Sequence, residues 1–133
     1  MSSNDSAARR EVGHAGDGHE VVRHMAETAA RAAAGMFAED VVLIDLRELV
    51  SYTDYFLVCS GNTDRQTKAI HDGIHEGMKR EHGVLPRRVE GLPEARWVLM
   101  DYLDVVVHVF VPETREHYRL EQLWGEAPRR SAA

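Results

Sequence analysis

The sequence has a single cysteine and no long apolar run. These two features argue against a disulfide-stabilised protein and against a membrane-spanning one. One cysteine cannot form an internal disulfide, which fits a reducing compartment. No apolar run approaches the roughly 20 residues that span a bilayer. The first residues, Met1-Ser-Ser-Asn-Asp-Ser6, lack the basic and apolar regions of a signal peptide. We therefore expect a cytoplasmic protein without a membrane segment.

The chain also lacks an excess of basic residues, because its net charge is −6 at pH 7. A phosphate backbone is best met by a basic surface, so nucleic acid is not the expected main partner. An acidic protein is better matched to a basic protein. The sequence has no dinucleotide fingerprint, no Walker loop and no spacing typical of a Ser-His-Asp triad, so it predicts no cofactor.

Hydrophobic periodicity predicts one α/β domain over residues 18–125, between a disordered tail at 1–17 and a C-terminal tail at 126–133. The predicted order is helix, two strands, helix, hairpin and helix. A strand–helix–strand step gives a parallel pair, and the other sequential pairs are expected to be antiparallel. The expected fold is a small mixed β-sheet flanked by helices.

Local signals place the boundaries of these elements. Residues 55–60 are nearly all apolar, which predicts a central strand. Thr63 and Gln66 form a capping box, which opens a helix that stops before Gly83. Residues 84–96 are predicted to form a loop with one short edge strand. Thr114 is predicted to cap a last helix, whose apolar face holds Leu120, Leu123 and Trp124.

Residues 96–110 contain two apolar runs around a short break, which predicts a β-hairpin. If Tyr102 and Leu103 form a two-residue loop, Asp101 lies opposite Asp104, and Trp97 lies opposite His108. One face of the hairpin is then all core material, namely Val98, Met100, Val105, Val107 and Val109. The other face carries Trp97, Leu99, Asp101, Asp104, Val106 and His108.

This second face suggests a surface kept for a partner or a reaction, because it collects a Trp, a His and two Asp. The alternative is an ordinary sheet face that is partly exposed to solvent, with a histidine whose hydrogen bonds are made within the protein. Like charges directly opposite each other are destabilising. Removing one of them, as in Asp101→Asn or Asp104→Asn, is therefore expected to leave stability unchanged or slightly raised.

Two patterns in and before the helix at residues 64–82 could carry enzymatic chemistry. Cys59 and Arg65 have the spacing of phosphatases that attack phosphate with a thiolate, although the residues flanking both depart from that pattern. The alternative is a buried core cysteine. His71 and His75 lie one helical turn apart, as in zinc proteases, but no third ligand is evident. A solvated helix shoulder is the alternative for this pair.

A third pattern is acidic. Asp101 and Asp104 could join Asp45 or Asp54 in holding Mg²⁺ for phosphoryl or nucleotidyl transfer. Nucleotidyl-transferases, however, usually need a Gly-Ser turn followed by two Asp separated by one residue, and Asp101 and Asp104 are three positions apart. We expect no metal site, and a phosphotransfer enzyme is the alternative function.

Five motifs in order resemble the ribosomal silencing factor family, also called RsfS or Iojap. They are Thr53-Asp-Tyr-Phe56, Ser60-Gly-Asn-Thr-Asp-Arg-Gln66, Glu90-Gly91, Trp97-Val-Leu-Met-Asp-Tyr-Leu-Asp-Val-Val-Val-His-Val-Phe110 and Tyr118-Arg-Leu-Glu-Gln-Leu-Trp124. The resemblance implies a fold like a nucleotidyl-transferase core without its catalytic pattern. It implies a protein that is not an enzyme, binds the large ribosomal subunit through its protein number fourteen and blocks joining with the small subunit. The resemblance is also compatible with a homodimer.

With that resemblance, the hairpin residues become candidates for partner binding. They are Trp97, Leu99, Met100, Asp101, Tyr102 and Asp104. Trp97 would be an apolar anchor, and the two Asp would pair with basic side chains of the partner. One residue departs from the family, whose turn usually reads Asp-Tyr-Gly-Asp, because Leu103 replaces the Gly. A two-residue primed turn needs φ > 0, so a turn of another type or greater length is the alternative.

Overall fold

A computed structural model describes residues 15–131 of the chain. The helices are α1 (Ala15–Gly35), α2 (Asp64–His82), α3 (Pro112–Tyr118) and α4 (Leu120–Leu123). The strands are β1 (Glu39–Asp45), β2 (Tyr55–Ser60), β3 (Arg88–Glu90), β4 (Trp97–Asp101), β5 (Val105–Phe110) and β6 (Arg129–Ser131). The tail predicted at residues 1–17 lies mostly outside the described residues, which begin at 15. Residues 15–17 belong to α1.

Within residues 15–131 the strands form one mixed sheet in the order β3-β4-β5-β2-β1-β6. The pairing of β2 with β5 is parallel, and α2 lies between them in the chain. The pairings β1–β2 and β4–β5 are antiparallel, as are those of the two edge strands. The predicted α/β class with a mixed sheet and flanking helices is confirmed.

The central strand β2 is buried along its whole length, as its apolar sequence predicts. Its odd-numbered side chains join the larger hydrophobic core, which α1 and α2 cover. Helix α1 contributes small side chains to this core, because Ala26, Ala29 and Ala33 have no exposed surface. Small residues allow a helix to lie close against its neighbours, and α1 also contacts α2.

Helix α2 begins and ends where the sequence predicts. The Thr63 hydroxyl accepts a hydrogen bond from the Gln66 N–H at 3.1 Å, and Gly83 closes the helix in the left-handed conformation with φ 66°. The Gln66 side chain completes a variant of the capping box, because it accepts from the backbone N–H of Asn62 rather than from Thr63. The predicted apolar stripe of Ile70, Ile74 and Met78 is fully buried.

The opposite side of the sheet carries a second, smaller core, which the C-terminal segment covers. Its buried members are Ile44, Leu46, Phe56, Val58, Phe110 and Ala127. The predicted tail at 126–133 is wrong for residues 129–131, which pair with β1 as strand β6. The three-residue segment Arg129–Ser131 has no apolar alternation, so its sequence carries no strand signal.

The last predicted helix is two short helices. Helix α3 starts at Pro112 with Val111 as its cap, not Thr114, and Arg119 interrupts it at φ 49°. Leu123 is 70% exposed, so the prediction that it docks the helix is wrong. Leu120 and Trp124 do contact the second core. No helix in the described part of the chain is both long and apolar enough to cross a membrane.

Candidate protein-binding face

The hairpin of β4 and β5 provides the surface predicted to bind a partner, but its register differs from the prediction. Asp101 lies opposite Val106, Leu99 opposite His108, and Trp97 opposite Phe110. The hydrogen bond from Tyr102 N–H to the Val105 carbonyl, at 2.9 Å, closes the loop around Leu103 and Asp104. The loop is therefore one residue later than predicted, and Asp101 does not face Asp104.

A shift of the loop by one residue moves the strand pairing by two, so each side chain keeps its face. The inward residues Val98, Met100, Val105, Val107 and Val109 all have no exposed surface. On the other face, three apolar side chains remain half-exposed, and we call Trp97, Leu99 and Val106 the hairpin face. The prediction of faces is confirmed, and only the partners across the hairpin are wrong.

Trp97 and His108 form a hydrogen-bonded pair on this side of the sheet. The Trp97 indole Nε1–H donates to His108 Nδ1 at 3.1 Å. In the neutral imidazole the proton then lies on Nε2, which is buried without a hydrogen-bond partner. Burial lowers the pKa of His108 to about 4. His108 therefore stays neutral at physiological pH and is a buried structural residue, not an exposed contact.

Aromatic side chains surround this pair. The Trp97 ring lies 4.9 Å from that of Phe110 and 4.7 Å from that of Tyr118, measured between centroids. The Phe56 ring contacts His108 edge-on at 4.6 Å and also lies against Trp124. The C-terminal segment thus covers much of the surface that the sequence leaves open. The hairpin face remains half-exposed, and Tyr118 beside it is 51% exposed.

Asp101 has a structural partner within the chain. Its side chain is only 7% exposed. One carboxylate oxygen accepts from the Leu103 backbone N–H at 2.8 Å, and the other accepts from Arg87 Nε at 3.1 Å. The carboxylate therefore holds the hairpin loop and the segment before β3, and it lies opposite Val106 rather than opposite Asp104 as predicted.

This geometry reverses the stability expected for variants of Asp101. Asp101→Ala leaves the Leu103 N–H without its acceptor, so we expect the free energy of unfolding to fall by about 2 kcal/mol. Asp101→Asn keeps one acceptor and should lose about half as much. Urea unfolding followed by circular dichroism measures both. A stability equal to or above that of the unsubstituted protein would contradict the assignment.

The other predicted contact residues differ in accessibility. Met100 is fully buried, and Tyr102 is 7% exposed with its pKa raised to about 12 by burial. Neither can present its side chain to a partner in this conformation. Asp104 is half-exposed, and its carbonyl accepts the backbone N–H groups of Asp54 and Tyr55 at 2.9 and 3.1 Å. Trp97, Leu99 and Asp104 thus remain as accessible candidates among the predicted set.

The cysteine pattern lacks the features of a thiolate phosphatase site in the structure. Cys59 has no exposed surface, and burial raises its pKa to about 12, so it is not a thiolate at neutral pH. Arg115, rather than Arg65, approaches this strand end, where it donates to Ser60 and pairs with Glu121. Among the residues that the structure describes, no group of three or more His, Cys, Asp or Glu could hold a metal ion.

Comparison with known proteins gives consistent matches over the folded domain. The model of the family described as ribosomal silencing factor during starvation matches residues 19–133. The ribosomal silencing factor RsfS of Bacillus subtilis is 46% identical over 100 residues, which cover 75% of this chain and 84% of that protein. A mouse protein named mitochondrial assembly of ribosomal large subunit protein 1 is 34% identical over 92 residues, covering 65% of this chain and 39% of its own length.

A solved structure is similar over the same region. The crystal structure of a protein from Chromobacterium violaceum superimposes with a TM-score of 0.75 at 33% sequence identity, and the match covers 78% of this chain and 86% of that one. Sequence and fold therefore agree on the same group of proteins.

Proposed function

Because this chain belongs to the ribosomal silencing factor family, we propose that it binds the large ribosomal subunit through its protein number fourteen. Bound there, it sterically blocks joining with the small subunit and lowers translation when nutrients are short. The name of the mouse relative, which refers to assembly of the ribosomal large subunit, supports a large-subunit partner. The proposal places the protein in the cytoplasm, where the subunits join.

The observation that carries the proposal is the half-exposed hairpin face on a strand pair near the middle of the sheet. Trp97, Leu99 and Val106 are apolar, yet the C-terminal segment leaves them accessible. Exposed aromatic and apolar groups on a rigid element suit a protein interface, and Trp is enriched at the centres of such interfaces. The net charge of −6 favours a basic partner, such as a ribosomal protein, over RNA.

We infer that the protein acts by occupying a surface and not by catalysis. A thiolate mechanism is disfavoured because Cys59 is buried with a raised pKa. A carboxylate pair acting on Mg²⁺ is disfavoured because Asp101 is held by Arg87 and the Leu103 N–H. The regulatory family to which the chain belongs supports the same inference.

Co-sedimentation with purified ribosomal subunits tests the proposal. The protein is expected to sediment with large subunits, not with joined ribosomes, and to inhibit subunit joining. Leu99→Arg should weaken large-subunit binding at least about tenfold, because a positive charge would face a basic partner. The variant should fold, since the side chain at position 99 is half-exposed and lies opposite Glu90 of β3, a carboxylate that now pairs with Arg88.

Val21→Arg is the matched control, because Val21 is 54% exposed on α1, which packs on the opposite side of the sheet. It should bind as the unsubstituted protein does. Failure of the unsubstituted protein to bind large subunits would overturn the proposed function. If Leu99→Arg bound large subunits as tightly as the unsubstituted protein, the interface would lie outside the hairpin face.

A further inference from the structure

His108 lies in the middle of the sheet, beside the hairpin face. Its strand β5 runs between β4 and β2, with Leu99 opposite it on one side and Val58 on the other. The residue is 4% exposed, and the Phe56 ring packs edge-on against the imidazole at 4.6 Å between centroids. A partner cannot touch so deeply buried a ring, so any effect of His108 on binding has to pass through a neighbouring side chain.

The neighbour that this ring can direct is Trp97. The indole N–H donates to His108 Nδ1 at 3.1 Å, whereas the other ring nitrogen, Nε2, makes no hydrogen bond within residues 15–131. The pKa of about 4 keeps the imidazole neutral at physiological pH, so Nδ1 has a lone pair with which to accept this bond. The hydrogen bond of the ring therefore links a buried residue to a half-exposed one.

Aromatic packing alone does not determine how the Trp97 ring is turned. Phe110 and Tyr118 pack on the indole at centroid distances of 4.9 and 4.7 Å. Apolar contact is non-directional, and rotation about the bond that joins the Trp ring to its Cβ has broad minima. A turned ring would keep much of this packing but would present a different edge at the surface. A hydrogen bond is directional, so the bond to His108 selects one orientation.

We propose that His108 is a positioning residue for partner binding, which holds the Trp97 ring in the orientation that the partner protein contacts. This rests on the proposed function, in which Trp97 belongs to the surface that binds the large ribosomal subunit. A side chain that is ordered before binding loses less conformational entropy in the complex. His108 thus raises the affinity without touching the partner.

Two substitutions of His108 test the role of its acceptor. His108→Leu removes the acceptor and keeps a side chain of similar size, so large-subunit binding should weaken by about threefold to tenfold, the range expected when one side chain must be ordered on association. His108→Asn is the conservative variant, because its Oδ1, like Nδ1, is bonded to Cγ and accepts a hydrogen bond. Its affinity should stay within about twofold of that of the unsubstituted protein.

A double-mutant cycle with Trp97→Phe separates positioning from general stability. Phenylalanine keeps an aromatic ring but has no N–H donor, so it makes no such bond to position 108. In the Trp97→Phe background, His108→Leu should therefore cause no further loss of binding, although each single variant binds more weakly. An equal loss in both backgrounds would overturn the proposal, because His108 would then act independently of the indole N–H.

Nuclear magnetic resonance of the indole N–H groups gives a readout that does not depend on the ribosome. The chain has two tryptophans, and the signal that is absent from Trp97→Phe belongs to Trp97. Its hydrogen exchange with water should be faster in His108→Leu and close to unchanged in His108→Asn, because only the asparagine variant keeps an acceptor. Equal exchange in His108→Leu and the unsubstituted protein would show that this hydrogen bond does not order the ring, and the proposal would fail.

Cys59→Ala is the control for a general loss of core packing. Cys59 is fully buried in the larger core, one position along β2 from the residue opposite His108, so its side chain lies on the other side of the sheet. The variant should lower the melting temperature and leave large-subunit binding unchanged. If it weakened binding as much as His108→Leu does, the loss would report on stability, and the proposal would be overturned.

The outcomes distinguish this inference from the proposed function. If the unsubstituted protein fails to bind large subunits, both are overturned. If Leu99→Arg loses binding while His108→Leu binds normally, the hairpin face remains the interface and only the role of His108 is overturned. The proposal is supported if binding is weakened in His108→Leu, kept in His108→Asn, and insensitive to His108→Leu in the Trp97→Phe background.

Discussion

Gly91→Ala is expected to lower the free energy of unfolding by at least about 3 kcal/mol, because two penalties combine at this position. Gly91 has φ 89°, which a residue with a Cβ atom adopts only with strain. A Cβ atom there would also lie 2.0 Å from the carbonyl oxygen of Trp97. That neighbour is backbone, so no side-chain rotation can relieve the contact.

The effect should reach the hairpin face, because the displaced atoms belong to the first residue of β4. A loss of about 3 kcal/mol is a large fraction of the 5–15 kcal/mol that is typical of a small domain. Urea unfolding and soluble yield measure the change. The control is Gly35→Ala, where an added Cβ meets nothing within 4 Å and stability should stay the same or rise. Equal unfolding midpoints for the two variants would contradict the predicted close approach.

The stability of the protein should also fall by about 3 kcal/mol between pH 6.5 and about 4 because of His108 alone. Burial lowers the pKa of His108 from 6.5 to about 4 in the folded state. Between these values the unfolded chain binds a proton that the folded chain does not. The stability that depends on neutral His108 is therefore fully present above pH 6.5, declines as the pH falls, and is lost at about pH 4.

The physical reason lies in the hydrogen bond to Trp97. Protonation would place a hydrogen on Nδ1, which accepts the indole N–H, and it would charge a ring that is 4% exposed. The pKa values of Asp45 and Glu121 are lowered by their arginine partners, so their contributions are lost only at lower pH. The interval from pH 6.5 to 5 therefore isolates the histidine from these carboxylates.

His108→Leu provides the comparison. The difference in free energy of unfolding between the unsubstituted protein and this variant should decrease by about 1.4 kcal/mol for each pH unit below 6.5. Denaturant titrations at half-unit pH steps measure it, and the other titrating groups cancel in the difference. Parallel curves for the two proteins would show that His108 is protonated as easily in the folded state as in the unfolded one.

Local sequence determined the elements that depend on short-range physics. The alternation of apolar residues predicted both faces of the hairpin, and the run at 55–60 predicted a buried central strand. The caps at Thr63 and Gly83 predicted both ends of α2, because each satisfies backbone groups within a few residues. The resemblance to the silencing factor family also came from sequence alone, since five motifs occur in the required order.

Tertiary structure decided the hairpin register, the C-terminal strand and the accessibility of the candidate site. The register depends on the backbone conformation at Leu103, and leucine carries no signal for positive φ. Strand β6 forms because the edge of β1 is available and Arg129 donates to the carbonyls of Glu121 and Trp124, so its pairing does not depend on an apolar pattern.

The role of Asp101 was also decided by tertiary contacts. Its charge suggested a partner surface, but Arg87 approaches it from a segment 14 positions away in the chain. Sequence spacing determines which face of a strand a side chain occupies. Whether that side chain is exposed depends on which distant segments cover the face, and here the C-terminal segment and the residues before β3 cover part of it.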